Sequence, residues 1–330
     1  MKKIINEPDH VVDEMLNGLA FAYDSLVTRI PETTVIARKV EKSNKVGLVS
    51  GGGSGHEPSH AGFVGKGMLS AAVAGQVFTS PTPDQVLEGI KAADEGAGVF
   101  LVIKNYTGDV MNFDMAKELA ELEDIDVEFV IVDDDIAVED STFTAGRRGV
   151  AGTVFMHKIL GAAADSGASL SEIKELADKV NEQLFSIGLA LSPATNPEVG
   201  KPGFELEDQE IEFGIGIHGE PGYRRETLQP SKELAKEFVT QLKKEMNWSE
   251  GDRYAALVNG MGATPLMEQF VFMNDVKKLL VDDEKLDLAF RKVGDYMTAI
   301  DMAGVSLTLL KIEDDQWLDY LNAPVDVIGW

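Results

Sequence analysis

Between residues 46 and about 165, short continuous apolar runs alternate with stretches in which apolar residues recur at helical spacing. That rhythm belongs to a parallel sheet covered by helices. The runs VGLVS (46–50), LSAAVAG (69–75), GVFLVIKN (98–105) and VEFVIVDDD (127–135) predict strands. Between them, PTPDQVLEGIKAADEG (81–96) opens on proline and closes on glycine, and MNFDMAKELAELED (111–124) carries the helical spacing, so both predict helices. Each strand runs into a loop rich in Gly, Asn, Asp or Thr. Open α/β sheets bind ligands at those carboxyl ends.

Further along, TVFMHKILGAAADSG (153–167) and SLSEIKELADKVNEQLFSIGLAL (169–191) read as two consecutive helices. SPATNPEVGKPG (192–203) has no periodicity and reads as a Pro/Gly-rich linker. A second α/β unit follows: β-like FELEDQEIEFGIGIHGEPG (204–222), a helix over 231–246, a strand over 253–260, a helix after Pro265, and strands around 285–293 and 305–313. The expected fold class is therefore α/β, with two α/β domains, 1–190 and 191–330, each a largely parallel or mixed sheet flanked by helices. No internal repeat or low-complexity tract interrupts the pattern.

Composition narrows the function. The chain has 330 residues, long enough for one large core or two moderate ones. Its 56 acidic and 30 basic residues give a net charge of -26, which repels nucleic acid and anionic membrane surfaces. There is no cysteine, so disulfides, thiolate nucleophiles and thiolate metal sites are excluded. The opening MKKIINEPDHVVDEML lacks an apolar stretch of signal or membrane length, and a cytoplasmic, soluble protein is expected.

The segment VGLVSGGGSGHEPSHAG (46–62) packs six glycines, two histidines and a glutamate behind a predicted strand. A P-loop needs lysine and Ser/Thr after its last glycine, but His56 and Glu57 follow Gly55. The dinucleotide pattern fails too, because Gly51 and Gly53 would require glycine at 56. Such a loop still lets backbone N–H groups approach a small polyhydroxylated ligand, or it is simply a tight turn that needs glycine. Of the five histidines, His10 is in a polar segment and His157 in an apolar helix pattern, where core or surface roles are the default. His56 and His60 flank EPS in the glycine loop, and His218 stands between glycines in GIGIHGEPG. No helical metal-ligand arrangement is present, and Pro58 interrupts the one place where a ligand-bearing helix could run. In VIKNYTGDVMNF, Lys104 ends a strand and Asp109 precedes a helix, so Asp109 is either an N-cap or, with Lys104 and a histidine, part of an acid–base site.

Taken together, SGGGSGHEPSHAGFVGKGML, GQVFTSPTPDQVLEGI, KNYTGDVMNF, RRGVAGTVFMHKILGAAA, EFGIGIHGEPG and the closing NAPVDVIGW resemble the K subunit of the dihydroxyacetone kinase family over nearly the whole chain. The resemblance implies that His218 forms a covalent hemiaminal with the carbonyl of dihydroxyacetone. It makes His56 and Asp109 the residues that activate the hydroxyl to be phosphorylated, and Gly53 and Lys104 substrate contacts. The glycine loop, with Ser54 and Gly55, then reads as a triose cradle. It implies no cofactor bound by this chain. ADP or ATP with Mg²⁺ would sit on a separate L subunit, recharged by a phosphoenolpyruvate-dependent M phosphocarrier, and the K subunit would be a homodimer. Some K-like paralogues are instead coactivators of a transcription regulator, the alternative reading.

Overall fold

The computed structural model describes residues 2–39, 43–139 and 144–330. The first half builds a six-stranded mixed sheet. After helix α1 (Val11–Ala22), strands β1 (Val27–Arg29) and β2 (Val35–Arg38) form a short antiparallel pair at its edge. Then come β3 (Gly47–Ser54), β4 (Ala71–Val77), α2 (Pro83–Ala93), β5 (Val99–Lys104), α3 (Thr107–Glu121) and β6 (Val127–Val132). The order is β1-β2-β4-β3-β5-β6, with β4, β3, β5 and β6 mutually parallel. The chain leaves β3 toward one side for β4 and returns to the other for β5. The carboxyl end of β3 is therefore the switch point where such a sheet opens a crevice.

Helices α4 (Thr153–Asp165) and α5 (Leu170–Asn181) lead to the second sheet, built from β7 (Leu184–Ala190), β8 (Glu210–Phe213), β9 (Arg224–Thr227), β10 (Arg253–Gly260), β11 (Asp287–Gly294) and β12 (Gly304–Lys311). Its order is β11-β10-β12-β7-β8-β9, and only β10 and β11 run parallel. Helices α6 (Ser231–Glu245), α7 (Leu266–Lys277) and α8 (Asp315–Asn322) complete the chain. The fold is α/β with two mixed, helix-flanked sheets, as expected. No helix among the described residues is long and apolar enough to cross a membrane.

Several local expectations need correction. Residues 184–190 form strand β7, not the tail of a helix; β7 pairs with β12 and β8 in the interior of the second sheet. With nearly every residue of β7 buried, neither face is polar, and the alternation that marks a strand is lost. Helix α3 starts at Thr107, so Asp109 lies inside its first turn, and Tyr106 holds the cap position without a side-chain hydrogen bond. Only 210–213 of the β-like stretch 204–222 is strand. Helices α1 and α8 and the edge pair β1–β2 had no expectation attached to them.

Helix α4 is the keystone of the packing. All its residues from Thr153 to Ala164 are buried, and all but Thr153, His157 and Lys158 are apolar or glycine. One continuous hydrophobic cluster joins Val102 of β5, Phe155 and Leu160 of α4, Leu184 of β7 and Leu257 of β10. Phe155 meets Phe290 of β11 edge to face, with centroids 6.1 Å apart. The start of the helix is fixed by Asp134, whose oxygens accept Val150 N–H and Gly152 N–H at 2.8 Å each, and also the Ser186 hydroxyl from β7. Burial pushes that carboxyl up to about 6. Truncating Phe155 to alanine removes a ring from the middle of this cluster, so Phe155→Ala is expected to lower unfolding free energy by about 3–5 kcal/mol, read from denaturant melts.

Candidate active site

The carboxyl ends of β3, β4 and β5 converge beneath the loop between β8 and β9. They enclose a cavity of about 180 Å³ lined by Gly53, Phe78, Ser80, Tyr106, Thr107, Gly108, Asp109 and His218. That is smaller than the roughly 300–1,000 Å³ of pockets for drug-sized ligands, so it suits a small molecule better than a nucleotide. Each wall has a cause in the sequence. Gly53 allows the loop after β4 to cross it, because a Cβ there would lie 2.6 Å from Thr79 N. Gly52, at φ 151°, leaves room for the Lys104 ammonium, which a Cβ would meet at 2.5 Å. The glycine run therefore serves close approach of two neighbouring loops as well as a turn.

His218 stands at the cavity with three rings around it: Tyr106 at 4.6 Å, His56 at 4.8 Å and Phe78 at 5.2 Å between centroids, all edge to face. Its Nδ1 lies 2.8 Å from Glu220 Oε1, and its backbone N–H donates to Glu220 Oε2 at 2.9 Å. A carboxylate only accepts, so the Nδ1 hydrogen is fixed and Nε2 turns away from it. That Nε2 lies 3.1 Å from Nε2 of His56, whose own Nδ1 donates to the carbonyl of Thr298 at 2.7 Å. With both Nδ1 hydrogens engaged, this contact is a hydrogen bond only in the form that carries one added proton on Nε2 of either ring. Burial, followed by the charges of His218 and Lys104, holds the His56 imidazolium well below the ordinary histidine range, which disfavours the proton on His56.

Glu220 is itself anchored among buried charges. Arg148, fully buried, pairs with Asp135 at 2.7 Å and donates to Gly214 O at 2.7 Å at the root of the His218 loop. Asp109 accepts the Ser80 hydroxyl and lies 3.6 Å from Lys104 Nζ, with both side chains almost completely buried. Lys104 Nζ also donates to Gly51 O at 3.1 Å and meets His60 Nε2 at 2.9 Å. Burial lowers the Lys104 ammonium from its ordinary value, against the opposing pull of Asp109.

Of the residues singled out in the sequence, Gly53, Asp109 and His218 line the cavity, whereas His56 and Lys104 stand behind its wall. Ser54 and Gly55 do not line it: the Ser54 hydroxyl donates to Gly75 O at 2.7 Å, and Gly55 O accepts Ile300 N–H at 2.7 Å. Sequence reasoning gave no role to Glu220, although it sits two residues from His218 in the same glycine-rich loop. It also missed Ser80 and Thr298, which no local pattern marks. Among the described residues, no group of three or more histidine or carboxylate side chains is arranged to hold a metal ion.

Comparison with known proteins shows the family of the chain. The Dak1 domain model matches residues 17–329. The chain is 66% identical over 329 residues to the PTS-dependent dihydroxyacetone kinase, dihydroxyacetone-binding subunit DhaK, of Lactococcus lactis, covering 100% of this chain and 99% of that one. It is 44% identical over 330 residues to the DhaKLM operon coactivator DhaQ of the same species, covering 99% and 100%. The structure of the dihydroxyacetone kinase from C. freundii in complex with AMP-PNP and Mg²⁺ superposes with a TM-score of 0.90 at 33% identity, covering 100% of this chain and 60% of that one.

The ionisation of Glu220 sets a testable dependence on pH. Burial alone would raise its carboxyl, but His218, a backbone N–H and Arg148 outweigh it and hold the group down at about 2, against an ordinary 4.5. A carboxylate depressed in the folded state stabilises the fold above its unfolded value and loses that contribution as pH falls through the folded one. Glu220→Gln should therefore be less stable than wild type at neutral pH. In denaturant melts the gap should close as pH falls from about 4.5 toward 2. A gap that does not change with pH would show that no charge is carried there.

Proposed function

The chain belongs to the Dak1-domain family, and from that premise we propose that it is the dihydroxyacetone-binding subunit of a phosphoenolpyruvate-dependent dihydroxyacetone kinase. It holds dihydroxyacetone as a hemiaminal on His218 for phosphorylation by a nucleotide-bearing L subunit. The observation that carries this reading is the pairing of His218 with Glu220: it commits Nδ1 and leaves Nε2, 3.1 Å from His56 Nε2, as the uncommitted nitrogen of a residue that lines a cavity of triose size. ADP or ATP and Mg²⁺ belong to the L subunit, and an M phosphocarrier recharges it. A homodimer of cytoplasmic K subunits is part of the same proposal.

The steps balance on the groups present. In the form of the pair that carries an added proton, His56 Nε2, made acidic by burial, holds it and leaves the His218 nitrogen free to attack the carbonyl carbon. As that N–C bond forms, the carbonyl π pair moves to oxygen, and His56 returns the proton to it, giving the hemiaminal hydroxyl. The resulting imidazolium keeps its Nδ1–H on the ionised Glu220. Asp109, held by Ser80, then accepts the proton of the terminal hydroxyl as that oxygen attacks the γ-phosphorus of the L subunit's ATP and ADP leaves on that subunit, with alignment supplied by the tether. Glycerol has hydroxyls but no carbonyl, so the covalent step rejects it where hydrogen bonds alone would not.

Two experiments test the reading. An imidazole adduct has no hydrogen left on its attacking nitrogen and cannot expel water to form an imine. Gentle intact-protein mass spectrometry should therefore show the whole mass of dihydroxyacetone added, unaffected by borohydride and absent in His218→Ala. A borohydride-trapped adduct on Lys104 would overturn the assignment, and the buried Lys104 amine does not line the cavity.

Mixed with L and M subunits and phosphoenolpyruvate, the chain should yield dihydroxyacetone phosphate, whereas with ATP and Mg²⁺ alone it should not. Asp109→Asn should keep the adduct while losing about 10²–10⁴-fold in turnover. Adduct formation by the wild type without any turnover in the complete mixture would favour the coactivator reading instead.

A further inference from the structure

Behind the cavity, a row of polar side chains continues past every group the phosphorylation uses. Lys104 meets His60, and His60 Nδ1 meets His157 Nε2 at 2.9 Å, with the rings edge to face. Lys104 and His157 are fully buried, and His60 is 6% exposed. We propose that His60 and His157 are positioning residues for Lys104: His157 fixes the proton of His60 on Nδ1, so that His60 Nε2 accepts from the ammonium and leaves its remaining N–H aimed at Asp109.

The assignment follows from counting hydrogens. An ammonium has three donors and no acceptor. One goes to Gly51 O at 3.1 Å and one to His60 Nε2 at 2.9 Å, which leaves the third for Asp109 Oδ2, 3.6 Å away. Since Nε2 of His60 accepts, a neutral His60 carries its hydrogen on Nδ1. The Ser50 hydroxyl lies 3.4 Å from that nitrogen, but its own hydrogen is donated to Val102 O at 2.7 Å, so it cannot supply the opposite arrangement. His157 Nε2 is then the acceptor, and the hydrogen of His157 falls on Nδ1. Burial and the Lys104 charge keep both rings neutral, His157 down to about 3 and His60 well below its ordinary value.

Nδ1 of His157 is buried without a hydrogen-bond partner. The row therefore stops there: it orients Lys104 and conducts no proton onward. Packing alone does not account for this residue. Beside Lys158, its neighbours in α4 are Phe155, Met156, Ile159 and Leu160, and burying an imidazole there costs an unpartnered Nδ1 that packing alone would not call for.

The wild-type chain can be read directly by long-range ¹H–¹⁵N correlation of its imidazoles, with its five histidines assigned by single substitutions. His60 and His157 should both be neutral and protonated on Nδ1 across mildly acidic to neutral pH. In the mixture with L and M subunits, His157→Leu, which takes the acceptor from the His60 Nδ1–H, should still fold yet lose about ten- to hundredfold in kcat, the worth of a hydrogen bond to a charged group. KM for ATP-loaded L subunit should change little. His157→Gln, whose amide oxygen accepts where Nε2 does, should recover most of the rate. A hydrogen on His60 Nε2, or His157→Leu as active as wild type, overturns the proposal. The consequence for turnover rests on the kinase reading. A wild-type chain inactive beside competent partner subunits counts against that reading, while the nitrogen spectrum, which needs no partner, still decides the proton assignment.

Discussion

Two imidazoles whose Nδ1 hydrogens are both engaged meet Nε2 to Nε2 at 3.1 Å, and the rest of the site is organised around that contact. It joins a loop of the first sheet to a loop of the second, so it exists only while both are held in register. The segment after β11 supplies the clamp. Thr298 O accepts from His56, Thr298 N–H donates back to His56 O at 3.2 Å, and Ile300 N–H binds Gly55 O at 2.7 Å. Beneath the clamp, α4 packs against both sheets, and the fixed core limits how far the two loops can drift apart.

Charge is distributed to direct these rings rather than to add stability. Buried ion pairs roughly break even against apolar replacements, because desolvation cancels much of their attraction. Their use here is geometric. Arg148 and Asp135 brace the loop that carries Glu220, Glu220 fixes one hydrogen of His218, and Lys104 faces Asp109. Each buried acidic group has partners that define which of its oxygens remains available. His218 and Asp109 thus reach the cavity from different elements with hydrogen-bond partners already in place, as preorganised polar groups in a low-dielectric site do.

Much of this was legible along the chain. The alternation of runs over 46–135 announced the parallel core of the first sheet, and the failed phosphate templates around Gly51, Gly53 and Gly55 turned attention to a small ligand. What escaped has identifiable causes. β7 is buried on both faces and carries no alternation; Thr107 and Gly108 begin α3 earlier than its apolar spacing does, so Asp109 looked like a cap. Ser54 belongs to the glycine loop by sequence, yet its hydroxyl is taken up by Gly75.

The sequence by itself determined what each residue is able to do. Glycine admits close backbone approach, a carboxylate accepts only, an ammonium donates only, and imidazole does one of each when neutral. The tertiary structure decided which of these abilities meet. His56 and His218 are 162 residues apart, His60 and His157 are 97 apart, and His56 reaches Thr298 across 242. No local pattern encodes such pairings, because a side chain's partner is fixed by the packing of sheets and helices around one core, and the direction of each proton follows only once that partner is in place.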